Sequence, residues 1–179
     1  MVSRYVARMP EDKAPTVKGQ FETELAAAEA QAGPKVVKVL LLDGSRSLWN
    51  YADENEPFDD YEKLIDYYHT TEHLSKAAEA RRGYNKYRGK LLEQEDAAES
   101  ILRSLDYHRQ TRRRSASRVK ALNQERTFFA RNKGRMTYAD FRRRGLPIGS
   151  GPVEAACKTI VKTRLCRSGM RWSRAGGNY

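Results

Sequence analysis

Cysteine is nearly absent from this chain. Cys157 and Cys166 are the only two in 179 residues, and their spacing matches neither a disulfide framework nor a zinc knuckle. A stapled secreted scaffold is excluded, and two free thiols fit a reducing cytoplasm. Long apolar runs are missing as well. No stretch approaches the roughly 18 apolar residues of a membrane span, and residues 1–8 hold no apolar core of an export signal. Neither membrane insertion nor export is expected. Acidic residues are scarce in one half only. Residues 101–179 carry 20 Lys or Arg against 4 Asp or Glu, a net of +16, whereas residues 1–100 carry 14 against 19, a net of −5. Internal repeats and low-complexity tracts are also lacking.

What is present is a modest supply of core residues, 39% hydrophobic, beside 32% charged. This composition predicts one small core under a large charged surface. The net charge of +11 points to a polyanionic partner. A basic half neutralises phosphates and releases their counterions, which gives salt-dependent, mostly sequence-independent binding to DNA or RNA. Solvated helix faces are the plainer explanation for any single arginine triplet.

The order of elements follows from apolar periodicity and from breakers. Tyr5 to Met9 is expected as a short strand, ended by Pro10. A helix opens at Thr16 with Phe21, Leu25 and Ala28 on one face and stops at Gly33-Pro34. The run Val36-Val37-Lys38-Val39-Leu40-Leu41-Leu42 reads as a strand buried on both faces. A short helix follows at Leu48-Trp49, residues 57–60 make a turn, and Lys63-Leu64-Ile65 forms a second strand that delivers Asp66. Helix, strand, helix, strand implies parallel pairing and an α/β fold. From Tyr68 onward helices dominate, with Gly83, Gly89, Gly134 and Gly145 as expected breaks. Residues 145–152, Gly-Leu-Pro-Ile-Gly-Ser-Gly-Pro, form a structured loop, and Pro152 opens a helix over 153–168.

Three carboxylates stand where chemistry is placed. Asp43 and Asp66 each follow a strand, the position at which parallel sheets carry their sites, although Asp43-Gly44 is also an ordinary turn. His69 lies three residues beyond Asp66. Glu154 falls in the first turn of the helix behind the glycine-rich loop, where the helix dipole favours a carboxylate with or without chemistry.

These residues sit in recognisable wording. Leu42-Asp43-Gly44, Leu64-Ile65-Asp66-Tyr67-Tyr68-His69 and Glu72-His73-Leu74 resemble the middle of insertion-sequence transposases of the ISKra group, relatives of the mutator type. Residues 145–158, Gly-Leu-Pro-Ile-Gly-Ser-Gly-Pro-Val-Glu-Ala-Ala-Cys-Lys, followed by Arg167-Ser168-Gly169-Met170-Arg171-Trp172, resemble the signature around that family's catalytic glutamate. The resemblance runs from about Arg4 to Gly177. It implies a DDE-type enzyme with an incomplete RNase H-like sheet and a large α-helical insertion. Residues 1–67 would be the partial core, 68–144 a basic helical insertion, and 145–179 the glutamate loop and the helix that completes the core.

The same resemblance implies catalytic and metal-holding roles for Asp43 and Glu154, supporting roles for Asp66 and His69, and Mg²⁺ or Mn²⁺ as cofactor. Its partner would be DNA, contacted by Arg112, Arg113, Arg114, Arg142, Arg143, Arg144, Lys158, Arg171 and Trp172. The family's first aspartate lies upstream of the position of Arg4, and Asp12, after Pro10, is no substitute. Truncation at both ends, a prokaryotic cytoplasmic setting, little strand transfer by this chain alone and self-association through an exposed strand edge are therefore expected. Two other readings compete. His69-Thr70-Thr71-Glu72-His73 is an H-x-x-E-H string, the inverted zinc-peptidase motif, in which Glu154 could be a third ligand. A non-catalytic nucleic-acid-binding module would instead use the basic helices, with Tyr84, Tyr87 or Trp172 stacking on bases.

Overall fold

A computed structural model describes residues 6, 12, 14–33, 35–78, 84–110, 115–151, 155, 158 and 159. The chain divides into two compact units, Val37–Ser150 on one side and Met1–Val36 with Gly151–Tyr179 on the other. In the second unit the described element is α1 (Pro15–Gln31), with proline in its first turn and no buried residue. The expected helix is present, and of Phe21, Leu25 and Ala28 none is buried, Phe21 being exposed. The strand expected over Tyr5 to Met9 and the helix expected over 153–168 lie, almost entirely, outside the described residues.

The larger unit is mostly helical around a small parallel sheet. In chain order it comprises β1 (Val39–Leu42), α2 (Arg46–Glu54), a 3-10 turn (Glu56–Phe58), β2 (Glu62–Ile65), α3 (Tyr67–Ala78), α4 (Tyr84–Glu93), α5 (Ala97–Gln110), α6 (Ala116–Asn132), a second 3-10 turn (Lys133–Arg135) and α7 (Tyr138–Arg143). The expected parallel pairing is present, with Val39 opposite Glu62 and Leu42 opposite Ile65. β1 is shorter than the apolar run predicts. β2 offers only four residues, so the ladder stops, and Val36 and Val37 are left exposed. Burial on both faces is not met either: of β1 only Leu40 is fully buried, because β2 alone flanks it among the described residues.

The core lies under β2. Leu64 and Ile65 pack with Leu74 of α3, Leu91 of α4, Ile101 of α5, Phe129 of α6 and Tyr138 of α7. α6 is the central helix of this layer, packed on both α3 and α5. Gly89 does not separate helices as expected. It lies inside α4, where complete burial of Leu91 offsets the roughly 1 kcal/mol that a mid-helix glycine costs. Gly145 does end one. At φ 69° it closes α7, with its N–H on the Arg142 carbonyl at 3.1 Å and the Leu146 N–H on the Phe141 carbonyl at 2.9 Å. This pair of bonds satisfies the last carbonyls and needs a left-handed residue, which glycine supplies without a Cβ clash.

Ion pairs tie the flank of the sheet. The Arg135 guanidinium covers the Trp49 ring at 4.1 Å and donates to Asp53 at 2.6 Å. Burial works against the charge of Asp53, but hydrogen bonds from Lys63 and Arg135 hold its carboxyl below the usual range. Among the described residues no helix is long and apolar enough to cross a membrane.

Candidate functional site

The two strand-end aspartates meet different fates. The Asp66 N–H donates to the Leu42 carbonyl at 2.7 Å, so the ladder runs one residue past β2 and Asp43 and Asp66 leave neighbouring strands at one level. Asp43 is exposed. Its Oδ1 accepts the Ser45 N–H at 2.7 Å, and its carbonyl accepts the buried Trp49 indole N–H at 2.7 Å. That turn starts α2 and presents the Asp43 carboxylate to solvent.

Asp66 is buried, and both of its oxygens are engaged. Oδ1 accepts the His69 N–H at 2.9 Å, an N-cap for α3. Oδ2 accepts the Ser150 N–H at 2.5 Å from the glycine-rich loop. The same loop is held a second time where the Tyr67 N–H donates to the Ile148 carbonyl at 2.9 Å. Gly149 is needed for this approach, since a Cβ there would lie 2.7 Å from the Tyr68 ring. Three segments distant in sequence, 43–44, 66–69 and 148–150, therefore converge at one end of the sheet.

His69 completes the convergence. Its Nε2 packs on Gly44 so closely that a Cβ on that glycine would come within 2.6 Å, and within 2.8 Å of Phe128 Cε2. The ring is edge-on to His73, with centroids 5.0 Å apart. His73 lies flat on Phe128 at 3.6 Å and shares a 2.7 Å hydrogen bond between its Nδ1 and Glu125 Oε2. Glu72, by contrast, points outward, 3.9 Å from His69 Nδ1. Gly44→Ala should cost about 1–2 kcal/mol by forcing His69 and Phe128 aside. A thermal melt unchanged by that variant would show that the ring is not seated on the glycine.

Sequence reasoning missed Glu125. It sits among Leu122, Phe128, Phe129 and Asn132 on the buried side of α6. A lone carboxylate on an otherwise inward-facing helical stripe was the available signal, because buried charges are kept only with a partner.

Beside His73 an open cleft of about 650 Å³ runs along α6. Gly44, His73 and Phe128 form its inner wall, and the exposed side chains of Lys120, Asn123 and Arg131 are among those lining the rest. The expected DNA-contacting arginines of α7 lie elsewhere. Arg144 pairs with Glu62 and Asp140, Arg143 with Glu95 and Asp140, and Arg142 donates to the Leu92 carbonyl at 3.3 Å. Glu62 begins β2, at the opposite end of the strand from Asp66. Lys158 is exposed, while Glu154, Arg112, Arg113, Arg114, Arg171 and Trp172 lie outside the described residues.

Among the described residues no three His, Cys, Asp or Glu side chains come together as a metal-holding group. Of the described carboxylates at the sheet end, Asp43 faces solvent and Asp66 is buried. No family model, no curated protein and no solved structure matches the chain.

Proposed function

We propose that the chain belongs to the DDE-type insertion-sequence transposases of the ISKra group, with an RNase H-like core, and acts on DNA in a prokaryotic cytoplasm. One observation carries this reading: the loop that leads toward Glu154 is fastened by Asp66 and Tyr67 to the strand end that bears Asp43. A site assembled from a strand-end aspartate and a distant glutamate needs such a fastening, since the two residues are supplied by separate parts of the sequence. Asp66 and His69 then act as positioning residues. The first anchors α3 and the loop; the second packs on Gly44 beside Asp43.

Asp43 and Glu154 are the side chains that would hold Mg²⁺ or Mn²⁺, hard cations that prefer carboxylate oxygen. The solvent-facing carboxylate of Asp43 suits that role better than the doubly bonded one of Asp66. When bound, the metal would supply an activated water or 3′-hydroxyl and stabilise the leaving oxygen of a phosphodiester displacement.

Mn²⁺ titration followed by electron paramagnetic resonance tests the assignment. Asp43→Asn keeps an Oδ1 for the Ser45 N–H, and Glu154→Gln keeps its size, so the circular dichroism spectrum should not change. Each should weaken Mn²⁺ binding by about tenfold, equivalent to about 1.4 kcal/mol. Wild-type affinity in both variants would remove the metal site and with it the transposase reading.

A further inference from the structure

α6 presents two unlike faces. Its inner face is buried in the core, while the cleft face repeats at helical spacing as Val119, Lys120, Asn123, Gln124, Thr127 and Arg131. Among the described residues no carboxylate lines the cleft. Lys120 and Arg131 have no acidic partner among the described residues, whereas Arg126 on the same helix is paired with Asp106. Between the two cations stand two carboxamides and a hydroxyl, and behind them lies the His73–Phe128 stack.

We propose that this cleft binds single-stranded DNA, with Lys120 and Arg131 on successive parts of the backbone and an unpaired base set against the His73–Phe128 stack within reach of Asn123 and Gln124. The site presupposes the nucleic-acid reading above and adds to it a surface and a strand form.

The chemistry of the lining selects the strand form. Lys120 and Arg131, without an acidic partner among the described residues, meet phosphates. The 1.5 Å rise per residue separates Lys120 and Arg131 by about 16 Å, a span for a short run of nucleotides rather than a single phosphate. Carboxamides and an aromatic wall read Watson–Crick edges and base faces, and these are free only in an unpaired strand. A duplex is read by an element that projects into its grooves, whereas the aromatic wall here is the His73–Phe128 stack on the inner side of the cleft, beside Gly44. The cleft opens next to Gly44, so a strand seated in it passes the residue that follows Asp43 in the chain.

Fluorescence anisotropy with the full chain, a labelled thymidine dodecamer and a duplex of equal length tests the proposal. Lys120→Gln/Arg131→Gln should weaken single-strand binding at least about tenfold and lower the salt slope by about 1.4. The control Arg103→Gln/Lys133→Gln, of equal charge change on cations outside the cleft, should shift affinity less than about threefold. Asn123→Ala should weaken the single strand and leave the duplex unchanged. Equal losses in both charge variants, no loss in the cleft variant, or tighter binding of the duplex would overturn the cleft assignment while leaving DNA binding in place. Failure of the wild-type chain to bind either oligonucleotide at low salt would remove both readings.

Discussion

Phe129→Ala is expected to lower the unfolding free energy by about 3–5 kcal/mol. Phe129 is completely buried in the last turn of α6, the helix that packs on both α3 and α5, and its ring meets Phe128 edge-on at 5.4 Å. Removing the ring deletes its transfer energy and leaves a cavity that two neighbouring helices cannot both close. A domain of this size has about 5–15 kcal/mol in total, so the loss is a large share. Phe129→Leu, which keeps most of the volume, should cost under about 1.5 kcal/mol. The midpoint of urea unfolding followed by circular dichroism separates the two. A deficit below about 1 kcal/mol for the alanine variant would mean that α6 is not the centre of the core.

The position of that centre was only partly legible in the sequence. The parallel strand pair, the aspartates at its end and the loop after Gly145 could be read directly, because each rests on a local signal: a β-branched run, a turn residue, a glycine that must adopt positive φ. What the loop touches could not be read. The Ser150 N–H reaches Asp66 across 84 residues, and no periodicity encodes such a contact. The apolar run from Val36 overstates β1 because a strand persists only as far as its partner, and β2 has four residues. Local propensity opposes a helix at Gly89, while burial of Leu91 decides otherwise.

Charge was the least transferable signal. The triplet Arg142-Arg143-Arg144 looks like a phosphate patch in sequence, yet two of its members are bonded to Glu62, Glu95 and Asp140. Hydrogen bonds from Arg144 hold the Glu62 carboxyl below its usual range. Among the described residues Lys120 and Arg131 are the cations that line the cleft, and nothing in their sequence neighbourhood marks them out, because only three-dimensional placement sets them beside it.

Asp66→Ala is expected to cost about 3 kcal/mol, the sum of a lost helix cap and a buried N–H left without an acceptor. The His69 N–H at the start of α3 can turn to water, so its share is the smaller. The Ser150 N–H lies against a buried carboxylate, and its loss should also free the loop from the strand end. Asp66→Asn should be no refuge. An amide offers one acceptor where the carboxylate serves two N–H groups, and its NH₂ would face a second donor, so at least half of the loss should remain. Hydrogen exchange at 146–150 should rise in both variants, while exchange in α5 rises only as far as global stability falls. A residue whose task was to hold a metal would behave in the opposite way. Asp66→Asn would then abolish metal affinity with stability intact and the Ser150 amide still protected, and that outcome would replace the positioning role with a ligating one.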